Sequence, residues 1–224
     1  MTAESTETIA VVGGTGELGS ALARRLVRSG RKVIIGSRTA ERAVAAARAL
    51  SSEVGSEVQG DSNGAAAREA GIVLVAVPYA AQAGTLQEIR AFVQGKIVID
   101  TTVPLVPPKV MRVQLPTEGS AAVIAQRILG SEVRVISAFH NVAARKLAAD
   151  GDVDCDILIF GDDKAAREIA VQLIASCGLR ALHGGPLANS AAAEALTSVL
   201  IFINKTYRVE GAGIRITGAL TTPA

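Results

Sequence analysis

Residues 9–38 read IAVVGGTGELGSALARRLVRSGRKVIIGSR, and this stretch decides the fold. Ile9 to Val12 is a short β-rich run, and Gly14, Gly16 and Gly19 follow in G-x-G-x-x-G spacing. Leu18, Ala21, Leu22 and Leu26 then recur at steps of three and four, one face of a helix. Lys32 to Ile35 is a second β-rich run after a turn at Ser29-Gly30. In the order strand, glycine turn, helix and strand, three spaced glycines mark a dinucleotide-binding unit rather than a bare αβ turn. Gly14 is expected to allow the tight turn, Gly16 to let the backbone approach a pyrophosphate, and Gly19 to let helix and strand pack closely. Unpaired N–H groups of the first helical turn then face the anionic bridge. The cofactor-binding set therefore opens with Gly14, Thr15, Gly16, Glu17 and Leu18.

The end of the second strand selects the dinucleotide. An acidic side chain about 20 residues beyond the glycines would hydrogen-bond a free ribose 2′-OH. Here the strand ends Gly36-Ser37-Arg38-Thr39, with no carboxylate. A carboxylate repels a 2′-phosphate, whereas Arg38 offers a charged fork and Ser37 and Thr39 offer hydroxyls. The reading is NADP(H) over NAD(H), with Glu41 expected to point along the next helix.

Composition narrows the rest. The 224 residues are 49% hydrophobic but 3% aromatic with no Trp, so Val, Ile, Leu and Ala must fill the core. A formal charge of +2, without a dense basic cluster, gives no case for nucleic acid. Cys155 and Cys177 lack C-x-x-C spacing and nearby histidine pairs, so they read as small core residues, and no metal site is expected. The first eight residues are polar, unlike a secretory or transit leader, and no apolar run reaches the roughly 18 residues of a membrane span. The expectation is a soluble cytoplasmic protein whose partner is a small-molecule coenzyme.

The fold class expected is α/β: a Rossmann-type doubly wound parallel sheet with a small C-terminal α/β domain. Residues 1–8 read as a flexible tail, 9–140 as the NADP-binding domain, and 141–224 as the C-terminal domain. Within the first domain, 40–52 reads as a helix, 56–59 as a weak strand, and 61–64 as a turn into a short helix. The apolar run 72–77 ends at Pro78-Tyr79, the profile of a central parallel strand. Val77, Pro78 and Tyr79 thus lie where ligands sit in open α/β sheets. Tyr79 reads equally as a ring stacked near the nicotinamide and as a plain surface aromatic. A helix over 81–93 leads to a strand over 96–100.

Pro104, Pro107, Pro108 and Pro116 forbid regular structure through most of 101–117. Such a stiff loop, with Pro104, Leu105 and Val106 at its start, could form an apolar wall beside a planar ring. Thr117 is expected to cap a helix over 118–129, and strand 133–138 delivers His140 at its carboxyl end. Beyond lie helix 142–149, strand 155–160, helix 164–176 with Ala166, Ile169, Ala170, Leu173 and Ile174 inward, and strand 179–182. The final helix, 191–207, carries Ala192, Leu196, Val199, Leu200, Ile203 and Tyr207 as an apolar stripe. Ile201 and Phe202 lie off that stripe, so a second subunit is the expected cover: a homodimer through the C-terminal helix.

Several segments together resemble the NADPH-dependent 8-hydroxy-5-deazaflavin (coenzyme F-420) oxidoreductases. They are GGTGELG at 13–19, GSR at 36–38, VPY at 77–79, PLVP at 104–107, HNV at 140–142, GGPLANS at 184–190, EALT at 194–197 and GAGIRI at 211–216. The resemblance implies an enzyme moving a hydride between NADP(H) and a deazaflavin stacked on the nicotinamide. It also implies that Thr15, Ser37 and Arg38 contact NADP, that His140 and Val142 shield one ring face, and that PLVP lines the pocket. Ala212 matches a position near the deazaflavin where relatives carry a larger apolar residue.

Direct transfer between two rings needs no protein nucleophile, and none of the usual nucleophile triads is evident. Alignment of two reactants can supply roughly 7–11 kcal/mol of barrier reduction. His140 therefore reads as a positioning group rather than an obligatory acid or base. Two rival readings are an NADPH-dependent flavin (FMN or FAD) or ferric reductase of the same fold, and a non-catalytic NADPH-binding sensor.

Overall fold

The computed structural model describes residues 7–221. Its strands are β1 (Ile9–Val12), β2 (Val33–Ser37), β3 (Gln59–Ser62), β4 (Ile72–Val75), β5 (Ile97–Asp100), β6 (Arg134–Ser137), β7 (Asp156–Gly161) and β8 (Arg180–Gly185). The helices are α1 (Glu17–Arg28), α2 (Ala40–Val54), α3 (Asn63–Glu69), α4 (Tyr79–Ile89), α5 (Ala121–Leu129), α6 (Ala144–Ala148), α7 (Lys164–Ser176) and α8 (Ser190–Tyr207). All eight strands form one sheet in the order β3-β2-β1-β4-β5-β6-β7-β8. It is parallel except between β6 and β7, which run antiparallel. The C-terminal strands thus extend the same sheet, which is of Rossmann type with a smaller C-terminal subdomain.

The order turns back at β1, whose neighbours are β2 and β4, so a crevice opens at the carboxyl ends of these strands. β1, β4 and β5 are buried at every residue, as expected of central parallel strands with both faces covered. Ile9 and Val11 join the core on one face, and Ala10 and Val12 the core on the other. Period-two alternation therefore divides a continuous apolar run between two helix layers.

Several expected boundaries move. β3 lies at 59–62 rather than 56–59, because Gln59-Gly60-Asp61-Ser62 pairs with Ile34–Ser37. Its residues are not apolar, and Gly60 is there because a Cβ would lie 2.4 Å from the backbone of Ala43 in α2. α5 starts at Ala121 rather than 118; its cap is Ser120, whose Oγ accepts the Val123 N–H at 3.1 Å. Ile169, expected inward, is 37% exposed. Cys155 is buried, and Cys177 is the half-buried cap at the end of α7. Residues 1–6 of the expected tail lie outside the described residues, while the Thr8 carbonyl accepts the Gly71 N–H at 3.0 Å.

The final helix is the largest departure. Ser190, Ala193, Glu194, Ser198 and Leu200 are its buried residues. Of the expected apolar stripe, Val199 is 43% and Tyr207 72% exposed, and Phe202 beside it is 54% exposed. The polar and small side, joined by Leu200 from the expected stripe, faces the protein, and Val199, Phe202 and Tyr207 face outward. By length and mean composition Leu187–Tyr207 is apolar enough to cross a membrane, although Glu194, Ser198, Asn204 and Lys205 interrupt it. Its polar side chains are nonetheless engaged with the rest of the fold: Thr197 Oγ1 donates to the His140 carbonyl at 2.8 Å, and Ser198 Oγ to the Arg112 carbonyl at 3.4 Å.

Gly19 marks the tightest crossing of α1 over the turn, since a Cβ there would stand 2.5 Å from the Gly13 carbonyl oxygen. Gly19→Ala should cost about 1–3 kcal/mol through overpacking, read as a lower urea midpoint. An unchanged midpoint would show that the helix can shift away without loss.

Candidate functional site

The turn after β1 is built by backbone alone. Gly13 adopts φ +75°, so the left-handed residue of the turn is Gly13, one position before the glycine expected to provide it. Its N–H donates to Asn63 Oδ1 at 3.3 Å, and Asn63 is fully buried at the start of α3. The Gly14 N–H donates to the Gly36 carbonyl at 2.9 Å and lies 3.1 Å from that of Val11. A Cβ on Gly14 would meet the Val11 carbonyl oxygen at 2.7 Å. Gly14 and Gly19 are thus required by the protein itself. Gly16 differs: a Cβ there would meet only the Gly13 carbonyl oxygen, at 3.4 Å, and the residue is exposed. Its open face is the approach a ligand needs. No side chain caps α1, so its first-turn amides remain available to an anion.

A crevice of about 290 Å³ opens beside this turn. Thr15, Gly16, Ser37, Arg38, Val77 and Pro78 line it together, which brings six of the expected residues to one place. Thr15 Oγ1 and Ser37 Oγ lie 3.4 Å apart, so the turn and the end of β2 are in side-chain contact. Arg42 and Asn63, neither among the expected cofactor-binding residues, also line the crevice. Arg42 lies four residues after Arg38 on an exposed position of α2, a spacing that could have marked it. Asn63 reads in the sequence only as part of the turn at 61–64. Glu41 is exposed in the first turn of α2. Glu17 is exposed in the first turn of α1, and Leu18 packs against the core. These features fit a dinucleotide with a 2′-phosphate: an open glycine face for the diphosphate and two arginines at the far rim.

The other expected residues lie toward the carboxyl ends of β4, β5 and β6. Tyr79 opens α4 and is half-buried; burial raises its hydroxyl pKa, and the carboxylates of Glu118 and Glu194 add to that. Pro104 is buried, Leu105 half-buried and Val106 exposed in the irregular loop after β5. Val142 packs against the core beside the β6 exit. The Ala212 N–H donates to Asn204 Oδ1 at 2.7 Å, so Asn204 ties the terminal arm to the end of α8. That arm lies along β7, with the Asp156 N–H donating to the Ile214 carbonyl at 2.8 Å.

His140 is buried, with Nε2 2.8 Å from Ser137 Oγ and its ring tilted against Phe160 at 6.2 Å. Burial pushes its pKa down to about 3, so it is a neutral imidazole at any ordinary pH. Around the carboxyl end of β5 lies a polar network that the sequence reading did not find. Asp100 is buried and accepts Gln82 Nε2–H at 2.6 Å and the Thr102 hydroxyl at 2.7 Å. Gln82 also donates to the Ala121 carbonyl at 3.0 Å. Glu194 accepts the Ala121 N–H at 2.7 Å and the Ala122 N–H at 3.2 Å. Burial raises Asp100 to about 6 and Glu194 to about 7, opposed by the hydrogen bonds each accepts.

The family model described as coenzyme F420-dependent NADP oxidoreductase matches residues 8–104. An F420-dependent NADP reductase of Methanothermobacter marburgensis is 41% identical over 218 residues, covering 93% of this chain and 97% of that one. Another, of Methanocaldococcus jannaschii, is 38% identical over 219 residues, with 93% and 97% covered. A solved structure from Arthrobacter sp. FB24 superposes with a TM-score of 0.80 at 24% identity, over 94% of this chain and 99% of that one. At that identity the likeness speaks for the fold.

The buried titratable groups give opposing pH dependences. His140 falls from 6.5 to about 3 on folding, so between those values only the unfolded chain takes its proton, and stability drops on acidification. Asp100 and Glu194, raised to about 6 and about 7, take protons first in the folded chain, so their contribution to stability rises as pH falls from 7. In His140→Asn the acid-side loss should vanish. The wild-type advantage in urea midpoint should hold above about pH 7 and shrink steadily toward about pH 4. A difference constant across that range would show an ordinary histidine.

Proposed function

The chain belongs to the family of F420-dependent NADP reductases, and we propose on that footing how its residues divide the work. It is an NADP(H)-dependent oxidoreductase with a deazaflavin coenzyme as the partner in hydride transfer. The carrying observation for the NADP half is the crevice in which Gly16 is open while Arg38 and Arg42 stand at the rim. When bound, the nicotinamide and deazaflavin rings supply the hydride chemistry between them. The chain's part is to bind and align. First-turn amides of α1 would take the diphosphate, and the Arg38 and Arg42 guanidiniums with Ser37 and Thr15 the 2′-phosphate. Val77, Pro78 and Tyr79 would lead toward the reacting end.

Residues 141–224, together with the loop at Pro104, Leu105 and Val106, would form the acceptor side, with Val142 and Ala212 against the deazaflavin. His140 would act from within as a neutral positioning group, since its ring is bonded to Ser137 and buried. A neutral imidazole of this kind holds the strand exit without exchanging protons. The outward apolar face of α8 supports a homodimer through that helix. A cytoplasmic setting suits two soluble coenzyme substrates.

The deciding assay follows NADPH absorbance with deazaflavin, FMN, FAD or ferric chelate offered separately. Rapid oxidation with deazaflavin alone is expected. Oxidation with flavin or ferric chelate alone would move the chain to that rival activity, and tight NADPH binding without turnover to a sensor. Arg38→Ala should raise the KM for NADPH roughly 10- to 100-fold, the loss of one charged hydrogen bond, and leave that for NADH nearly unchanged. Equal effects on both would remove Arg38 from the 2′-phosphate. Phe202→Glu should convert a sedimenting dimer to monomer; a monomeric parent would overturn the dimer.

A further inference from the structure

Glu194 is a buried carboxylate on α8 that the hydride chemistry does not use. It joins parts far apart in sequence by accepting two of the first-turn N–H groups of α5, from Ala121 and Ala122. Ser120 takes a third, at Val123, and the Ser190 hydroxyl of α8 donates to Ser120 Oγ at 2.9 Å. The start of α5 is therefore satisfied largely by α8. On its next turns the same helix holds the exit of β6: Asn141 Nδ2 donates to the Ala193 carbonyl at 2.8 Å, and Thr197 to the His140 carbonyl. Through Ser198 it also reaches the proline loop at Arg112. Of these contacts only the one through Glu194 can carry a charge, so it can be made or weakened by a proton.

Resting on the deazaflavin reading above, we propose that Glu194 is a positioning residue for the acceptor side. Its carboxylate latches α8 to α5 and so fixes the His140–Val142 exit and the proline loop relative to the NADP crevice. A carboxylate accepts both amides. A protonated acid turns one oxygen into a donor and gives up one of them.

The groups facing Glu194 set when this happens. From β5 comes the like charge of Asp100; from α4 comes Tyr79, itself raised by Glu194; α5 offers backbone amides; and α8 adds the Ser190 hydroxyl. With Glu194 raised to about 7, the latch loosens as pH falls through neutrality. Removing the Asp100 charge should move that transition to lower pH.

The test measures the KM for deazaflavin against pH alongside NADPH affinity by fluorescence titration. In the wild type the acceptor KM should rise about tenfold as pH falls from about 8 to about 6, with NADPH affinity constant. Glu194→Gln, isosteric but unable to accept both amides, should give the raised KM at every pH, and Asp100→Asn should keep the transition at lower pH. Amide exchange supplies a readout without the acceptor: Ala121, Ala122 and residues 139–142 should exchange faster in Glu194→Gln. A variant with the wild-type KM and pH course overturns the proposal, as does a parallel loss of NADPH affinity, which would mark general loosening. If the wild type does not oxidise NADPH with deazaflavin, the functional reading fails by itself and exchange decides alone. Acceleration at 139–142 then upholds the latch, and unchanged rates there overturn it.

Discussion

The close approach of α1 to the end of β1 is the constraint on which the rest depends. A Cβ at Gly19 would fall 2.5 Å from the Gly13 carbonyl oxygen, so its absence lets helix and turn meet, while Gly13 and Gly14 leave the turn itself clear of the Ala76 and Val11 carbonyl oxygens. Only then do the first amides of α1 reach the crevice, and only then does the helix lie where its far end is useful. There Arg25 donates through Nε to the Leu147 carbonyl at 2.6 Å and through its Nη atoms to those of Ala149 and Cys177, at 3.0 and 3.2 Å. Arg24 donates to the Ala148 carbonyl at 2.6 Å, and both Arg24 and Arg28 pair with Asp150. One helix thus leaves its positive end uncapped at the crevice and ties the C-terminal part through its negative end, where basic side chains are favoured.

The parts legible in the sequence are those whose signal is local. Ile9–Val12, Ile72–Val75 and Ile97–Asp100 were visible as apolar runs because a central parallel strand buries both faces. The glycine turn was visible because spacing and context coincide, and Arg38 because it follows the second strand where an NAD-binding chain would carry a carboxylate. What could not be read depends on partners distant in sequence. Gly60 and its polar neighbours make a strand only because β2 is there to pair with it. Asn63 looks like a turn residue until the amide of Gly13, fifty positions away, is placed against it. Glu194 falls within a stretch quoted for its family likeness, yet periodicity gave it no role, since helical patterns count apolar residues and ignore what a neighbouring helix lacks.

α8 shows why amphipathicity failed where hydrogen-bond accounting succeeds. A buried helix start leaves N–H groups that must find acceptors, and an unmet buried donor costs about 1–3 kcal/mol. α5 begins beneath α8, so α8 must turn polar side chains inward: Glu194 accepts two of the amides, and Ser190 donates to Ser120, which accepts a third. The strand exit at His140 and Asn141 asks for one partner of each kind: the Ala193 carbonyl accepts from Asn141, and the Thr197 hydroxyl donates to the His140 carbonyl. Meeting these demands rotates Val199 and Phe202 into solvent. The exposed apolar face and the buried polar one are two sides of a single requirement.

The same demand for hydrogen-bond partners accounts for the buried titratable groups. His140 is held neutral by burial, and Asp100 and Glu194 take their protons near neutrality, so none stands as a strong acid or base at the surface of the site. Each instead accepts or shares hydrogen bonds that span elements: His140 with Ser137, Asp100 with Gln82 and Thr102, Glu194 with α5. Where two bound rings carry the reaction, the protein's contribution is alignment, for which a displacement of about 1 Å can cost on the order of a hundredfold in rate. Directional polar contacts in a dry interior define position more sharply than apolar packing does, which is what the proposed positioning role asks of these groups.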